Sequence, residues 1–218
     1  MYFLGLDLGS SFIKASIIDG DTQITVGSAT VPDQEMAMIA HHPGWAEQNP
    51  DQWWSEIKNL ILKVVYQTKV DAQDISAIGI SYQMHGLVLI DRHGRTLRPS
   101  IIWCDSRAVD LGEAASQTLG EQYALEHLLN SPGNFTASKL RWVILNEPHI
   151  AGQIHAFMLP GDFINFKLTG DINDHHLVVR MDGRLDVELQ PNVHVVDRLG
   201  NEPGGGGCCR NVGHALTD

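Results

Sequence analysis

Three short strings carry residue types whose spacing suits chemistry on a small hydroxylated or phosphorylated molecule. The first is Asp7-Leu8-Gly9-Ser10-Ser11, followed by Lys14. Gly9 permits close backbone approach, the N–H and hydroxyl groups of Ser10 and Ser11 can donate to phosphate oxygens, and Asp7 can hold Mg²⁺ directly or through water. The same string also serves as plain turn chemistry. The second is Gln83-Met84-His85-Gly86, between two apolar runs. Gln83 offers a donor and an acceptor, and a neutral His85 one of each, which suits vicinal sugar hydroxyls; a loop histidine bonded to backbone is the plainer reading. The third is Trp103-Cys104-Asp105-Ser106-Arg107. An indole face can stack on a sugar while Asp105 and Arg107 fix hydroxyls or each other; alternatively Asp105 caps a helix and Arg107 pairs at the surface.

Other chemistry-bearing residues point nowhere specific. His41-His42 lacks a supporting carboxylate or cysteine spacing, and Cys208-Cys209 lacks the second pair of a zinc site. Trp53-Trp54 and Trp142 fall at helical spacing and read as core and flank residues.

The elements that must position these strings follow from periodicity. Apolar runs Tyr2–Leu6, Phe12–Ile18 and Ile24–Ala29, separated by Gly9-Ser10-Ser11 and Asp19-Gly20-Asp21, predict an antiparallel meander, with Asp-Gly as the hairpin signal. Asn49, Pro50 and Gln52 predict a capped helix start, and Trp53, Ile57, Leu60, Ile61, Val64 and Val65 give it an apolar stripe. Strands are expected at Ile75–Ser81, Leu87–Ile90 and Ser100–Trp103, the last two joined through the turn Asp91-Arg92-His93-Gly94. Helical patterns follow near 107–119, 121–129, 136–146 and 160–168, with Pro132-Gly133 and Pro148 as breakers. Beyond Gly170 no sustained period holds, and the run Gly204–Gly207 leads into the two cysteines.

Composition narrows the class. The chain has 218 residues, enough for one well-buried domain, and a formal charge of −11. That balance argues against a nucleic-acid or anionic-membrane partner, which would reward clustered Lys and Arg. Three cysteines, two of them adjacent, make no disulfide framework and fit a reducing cytoplasm. The opening residues make a poor signal peptide, and no stretch approaches the roughly 20 apolar residues of a membrane span. A cytoplasmic location is expected.

Taken in order, the strings resemble the FGGY family of carbohydrate kinases, within the actin and Hsp70-like ATPase superfamily, and are most similar to its xylulokinase branch. GLDLGSSFIKASIID looks like the family's phosphate-binding hairpin, HPGWAEQNPDQWW like its characteristic loop and helix start, and IGISYQMHGLVLID like its substrate strand. RPSIIWCDSRA, FTASKLRWV and MLPGDFINFKLTG continue the match to about Gly170. The resemblance implies a ribonuclease-H-like α/β fold, a mixed β-sheet flanked by helices, forming the sugar half of an interlobe cleft. It implies transfer of the ATP γ-phosphoryl group to D-xylulose with Mg²⁺. It places Asp7 beside the reactive hydroxyl and the metal, Gly9, Ser10, Ser11 and Lys14 near the nucleotide phosphates, and Gln83, Met84, His85, Trp103 and Asp105 around the ketose. Ribulose, gluconate, fuculose and glycerol kinases share this lobe, as would a non-catalytic sugar-binding or pseudogene fragment. A homodimer is compatible with it.

Departures from the family pattern matter as much. The family's general base belongs to a Gly-Asp-Asn segment in a second lobe that also holds the adenosine pocket, and no such segment occurs in this sequence. No catalytic residue is therefore assigned. Residues 1–173 are expected to form the sugar-binding domain. Residues 174–218 are expected to be a tail foreign to the family, frameshifted or poorly ordered, because family-like composition stops near Asn173.

Overall fold

The computed structural model describes residues 1–128 and 130–172 and, beyond them, only the strand backbones at 179–180 and 194–197. The chain opens with β1 (Tyr2–Leu8), β2 (Ile13–Asp19) and β3 (Thr25–Val31), which form the expected antiparallel meander. Period-two alternation sorts their side chains: Leu4, Leu6 and Leu8 with Ile13, Ala15 and Ile17 enter the core. Asp7 and Lys14, partners in register, fall on the opposite face.

The β2–β3 connection differs from the tight Asp-Gly hairpin expected. Its left-handed residue is Gln23 at φ 59° rather than Gly20. Asp19 N–H donates to Ile24 O at 2.9 Å, and the Asp19 carboxylate accepts from the Asp21 and Thr22 N–H groups. The acidic side chain thus organises a longer loop. Gly20 is needed for space, since a Cβ there would lie 2.6 Å from the Phe3 ring.

Helix α1 (Pro50–Thr68) begins as expected, with the Asn49 side chain accepting from Asp51 N–H at 3.0 Å and Pro50 in the first turn. Gln52 donates its backbone N–H to Asn49 O instead of closing a reciprocal side-chain cap. Burial of Trp53, Ile57, Leu60, Ile61 and Val64 seats the helix on the meander, each large side chain contributing about 1.5–3 kcal/mol. Beyond α1, strand β5 (Ile75–Tyr82) lies parallel to β1.

Shorter elements close the structure around that sheet. Strand β4 (Glu47–Gln48) pairs with β7 (Ser100–Ile101), and β6 (Val88–Ile90) pairs with β8 (Ala156–Met158). The helices are α2 (Val109–Leu119), α3 (Glu121–Leu128), α4 (Thr136–Asn146), α5 (Pro148–Ala151) and α6 (Pro160–Thr169). Three departures from the sequence pattern stand out: β4 and β8 were invisible to it, Trp103 lies beyond a two-residue β7, and Pro148 starts a helical turn instead of only ending one. Proline lacks an N–H that a first-turn position does not use, so both roles are open to it.

Two further strands, β9 (Val179–Arg180) and β10 (His194–Asp197), pair with β8 and β5 respectively. The central sheet has the order β10-β5-β1-β2-β3, a mixed sheet as expected. The expected foreign tail, with Cys208 and Cys209, otherwise lies outside the described residues. Among the described residues no helix is long and apolar enough to cross a membrane.

Candidate functional site

The site is built where two parallel strands end. Leu8 of β1 and Tyr82 of β5 are the last register pair, and Gln83 N–H continues the ladder to Leu8 O at 2.9 Å. The Gly9–Ser11 turn and the Gln83–Gly86 loop therefore leave the sheet side by side at the carboxyl ends of their strands, the edge where α/β sheets hold ligands. Asp7 is exposed one residue before that edge, between its register partners Lys14 and Ser81, which are exposed too.

The first turn is held from below. Gly9 N–H donates to Phe12 O at 3.1 Å, and a Cβ at Gly9 would stand 2.8 Å from that oxygen. Ser11 O accepts from Met36 N–H at 2.9 Å. Among the described residues no protein group accepts from the Ser10 or Ser11 N–H, so two adjacent donors remain open to an anion.

A chain of amides joins this turn to the second loop. Gln48, buried on β4, donates from Nε2 to Ser10 O at 2.6 Å. Its Oε1 accepts from the buried Trp53 indole N–H at 3.3 Å and from Gln83 Nε2 at 3.4 Å. These bonds fix which end of the Gln83 amide faces inward, and leave the buried Gln83 Oε1 without a protein partner among the described residues. A buried carbonyl oxygen in that condition is an acceptor waiting for a donor such as a hydroxyl.

The rest of the loop is clamped by helix ends. His85 adopts a left-handed backbone, φ 58°, and its ring stacks on Phe135 at 4.7 Å. Gly86 sits where any Cβ would run into the Pro160 ring, and Gly86 O accepts from Thr136 Oγ1 at 3.3 Å. Lys139 Nζ donates to His85 O at 2.7 Å and to Asn134 O at 2.8 Å. Burial first, then the Lys139 charge, push the His85 pKa below its ordinary value. The imidazole is thus neutral at pH 7, with one donor and one acceptor nitrogen. Met84, 60% exposed, projects from the same loop.

The third string divides. Trp103 is 47% exposed and donates from Nε1 to Ser10 Oγ at 3.4 Å, which brings its indole against the first turn. Asp105 is fully buried, and this corrects the expectation that it reaches a sugar hydroxyl. Its Oδ1 accepts from Arg107 N and Nε, both at 2.9 Å, and its Oδ2 from Ala46 N at 2.6 Å and Arg107 at 2.7 Å. Nor does it cap α2, whose N-cap is Ala108 without a side-chain bond. Arg107 is equally far from a surface pair: it forms a buried ion pair with Glu47 at 2.6 Å, lies 3.8 Å from the Trp45 ring centroid, and packs on Trp142. Glu47 also pairs with Arg98, which holds Glu147 at 2.8 Å. This buried network fixes the segment carrying Trp103.

Sequence reasoning singled out neither Gln48 nor Lys139, although both lie inside strings that match the family. Polar residues at buried positions leave no periodic trace, so only their presence in those strings pointed to them.

The chain belongs to the FGGY family of carbohydrate kinases: the model of that family's N-terminal domain matches residues 2–181. It is similar to the xylulose kinase of Escherichia coli K12, 32% identical over 169 residues that make up 78% of this chain and 34% of that protein. It is similar also to a xyloylose kinase from Brucella ovis, whose crystal structure superposes with a TM-score of 0.71 at 36% identity, covering 78% of this chain and 35% of that one. Glycerol kinase of Plasmodium falciparum with ADP, at 24% identity and a TM-score of 0.66, shares the fold, covering 78% of this chain and 34% of its own. The chain spans about a third of the length of the curated relatives it matches.

Proposed function

We propose that this chain is the sugar-binding lobe of an ATP-dependent kinase for D-xylulose, with residues 1–173 as the family domain. The observation that carries the reading is the shared edge at which the open N–H pair of Ser10 and Ser11, the unpartnered Gln83 oxygen and the exposed Trp103 and Met84 gather. Gln83 Oε1, which the fold encloses, accepts a sugar hydroxyl as the loop shifts to admit it, the neutral His85 donates or accepts another, and the Trp103 face covers the apolar side of the ketose. Gly9–Ser11 and Lys14 receive phosphate oxygens. Xylulose kinases of Escherichia coli and Bacillus subtilis, 32% and 31% identical, support the choice of sugar, as does the Gln83-Met84-His85-Gly86 string.

The residues present fit ATP and Mg²⁺ in part. Among the described residues no three His, Cys, Asp or Glu side chains gather as a metal site, and Asp7 is an exposed carboxylate outside any such cluster. That suits an ion that keeps its waters and takes most other ligands from phosphates. When bound, Mg²⁺ neutralises charge on the transferring phosphoryl group. Asp7 would hold the ion, and Lys14, its register partner, would add a positive charge on the same face.

The setting is cytoplasmic. Calorimetry tests the reading: heat on adding D-xylulose, larger than with ribulose, gluconate, fuculose or glycerol. Absence of heat with every sugar would overturn the sugar lobe, and a larger heat with another of these sugars would overturn the choice of D-xylulose.

A further inference from the structure

We infer that Lys139 is the positioning residue of the Gln83–Gly86 loop, its buried ammonium gripping the His85 carbonyl and so setting where the His85 ring and the Gln83 amide stand. Lys139 has no exposed surface, and no carboxylate lies within ion-pair distance of its Nζ among the described residues. Burying a charge without such a pair is costly, and it persists only where other groups solvate it. Here two backbone carbonyls do so, one from the loop and one from the turn that leads into α4.

The geometry explains why the loop requires such a grip. A left-handed residue that is not glycine stores strain and stays only where its surroundings over-determine it. His85 is held by Phe135 on its ring and by Lys139 on its carbonyl, while Gly86 is held by Thr136 and Pro160. Phe135, Thr136 and Lys139 all belong to the entry and first turns of α4. The start of α4, with Pro160 at the start of α6, thereby dictates the path of the loop.

The titratable groups facing Lys139 are Asp105, Cys104, Arg107 and His85, of which Asp105 and Arg107 are charged at pH 7. Burial pulls its pKa down to about 8, against the opposing pull of Asp105, so the ammonium persists at pH 7 and disfavours a charged His85. Removing the ammonium therefore has a signature at a second residue, and methionine, which fills a similar volume, takes away the charge while keeping the burial that also holds the His85 midpoint down.

The inference rests on reading this loop as the sugar site, and the test separates the two. In Lys139→Met, protection of the amides of residues 85–87 against hydrogen exchange should fall about tenfold or more, since a charge-assisted bond is lost. The His85 midpoint, followed by NMR, should rise toward its ordinary value. Lys139→Arg keeps a cation and donors and should restore the low midpoint, even where it restores protection only in part. D-xylulose affinity should fall by a similar factor in Lys139→Met. Unchanged protection and an unchanged His85 midpoint in Lys139→Met would overturn the inference. A wild-type chain that takes up no sugar, while both loop readouts move as expected, would strike the proposed function and still support Lys139 as the anchor.

Discussion

Replacing Gln48 with Leu tests the amide chain on which the site geometry depends. Leucine fills the same volume, so the change is mainly the loss of three hydrogen bonds rather than a cavity. The bond to Ser10 O at 2.6 Å is short and half-buried, and its loss costs about 1 kcal/mol. The Trp53 indole N–H, in a side chain only 1% exposed, would be left buried and unpaired at about 1–3 kcal/mol. The bond to Gln83 at 3.4 Å is too long to add much to stability. The sum is about 3 kcal/mol. With a urea slope of about 2 kcal/mol per molar, the unfolding midpoint should move down by about 1.5 M. Trp53→Phe removes only the indole donor, and in a double-mutant cycle with Gln48→Leu should show a coupling of about 1 kcal/mol or more. Releasing the Gln83 amide should weaken D-xylulose binding beyond any effect of stability, measured well below the midpoint. A midpoint shift under about 0.3 M, with additive single mutants, would refute the claim that Gln48 joins the two loops.

Two further outcomes follow from tight packing and from burial of charge. Gly161→Ala should destabilise by about 1–3 kcal/mol, because its Cβ would drive into the Tyr82 ring at the end of β5; Gly79→Ala, with nothing within 4 Å of its Cβ, should be close to neutral, and thermal melts of the two compare them directly. Asp162, which accepts from Leu159 N–H at 3.1 Å, has its pKa raised by burial from 3.8 to about 7. The folded state therefore holds a proton that the unfolded state releases, so this contribution is complete below pH 3.8 and is lost as pH rises through about 7. The slope reaches up to about 1.4 kcal/mol per pH unit. Asp162→Asn keeps an acceptor for the cap and should flatten that part of the stability profile in denaturant titrations at several pH values.

How much could be read in advance differs between elements and side chains. The meander, α1 and β5 were legible because each repeats an apolar side chain at the period of its own backbone, and burial of Leu4, Leu6, Ile57 and Leu60 is the direct result. Strands β4 and β8 were not, since two or three residues make no period; they are strands only because a partner lies alongside. Asp105 shows the same limit for function. Its local string allowed a sugar ligand, a helix cap or a pair with Arg107; the pair with Arg107 is the one that forms, and what the string could not show is the third partner, Ala46, 59 residues away.

The sequence by itself determined the periodic elements, the glycine-dependent turn at Gly9 and, through strings in register, the kinase family. Tertiary structure decided which polar groups are spent and which are not: Asp105 is consumed by Arg107, Gln48 is consumed by Ser10 and Trp53, and Gln83 keeps an oxygen without a partner among the described residues. The physical reason is that hydrogen-bonding capacity belongs to a residue, whereas its satisfaction depends on what the fold brings within about 3 Å of it.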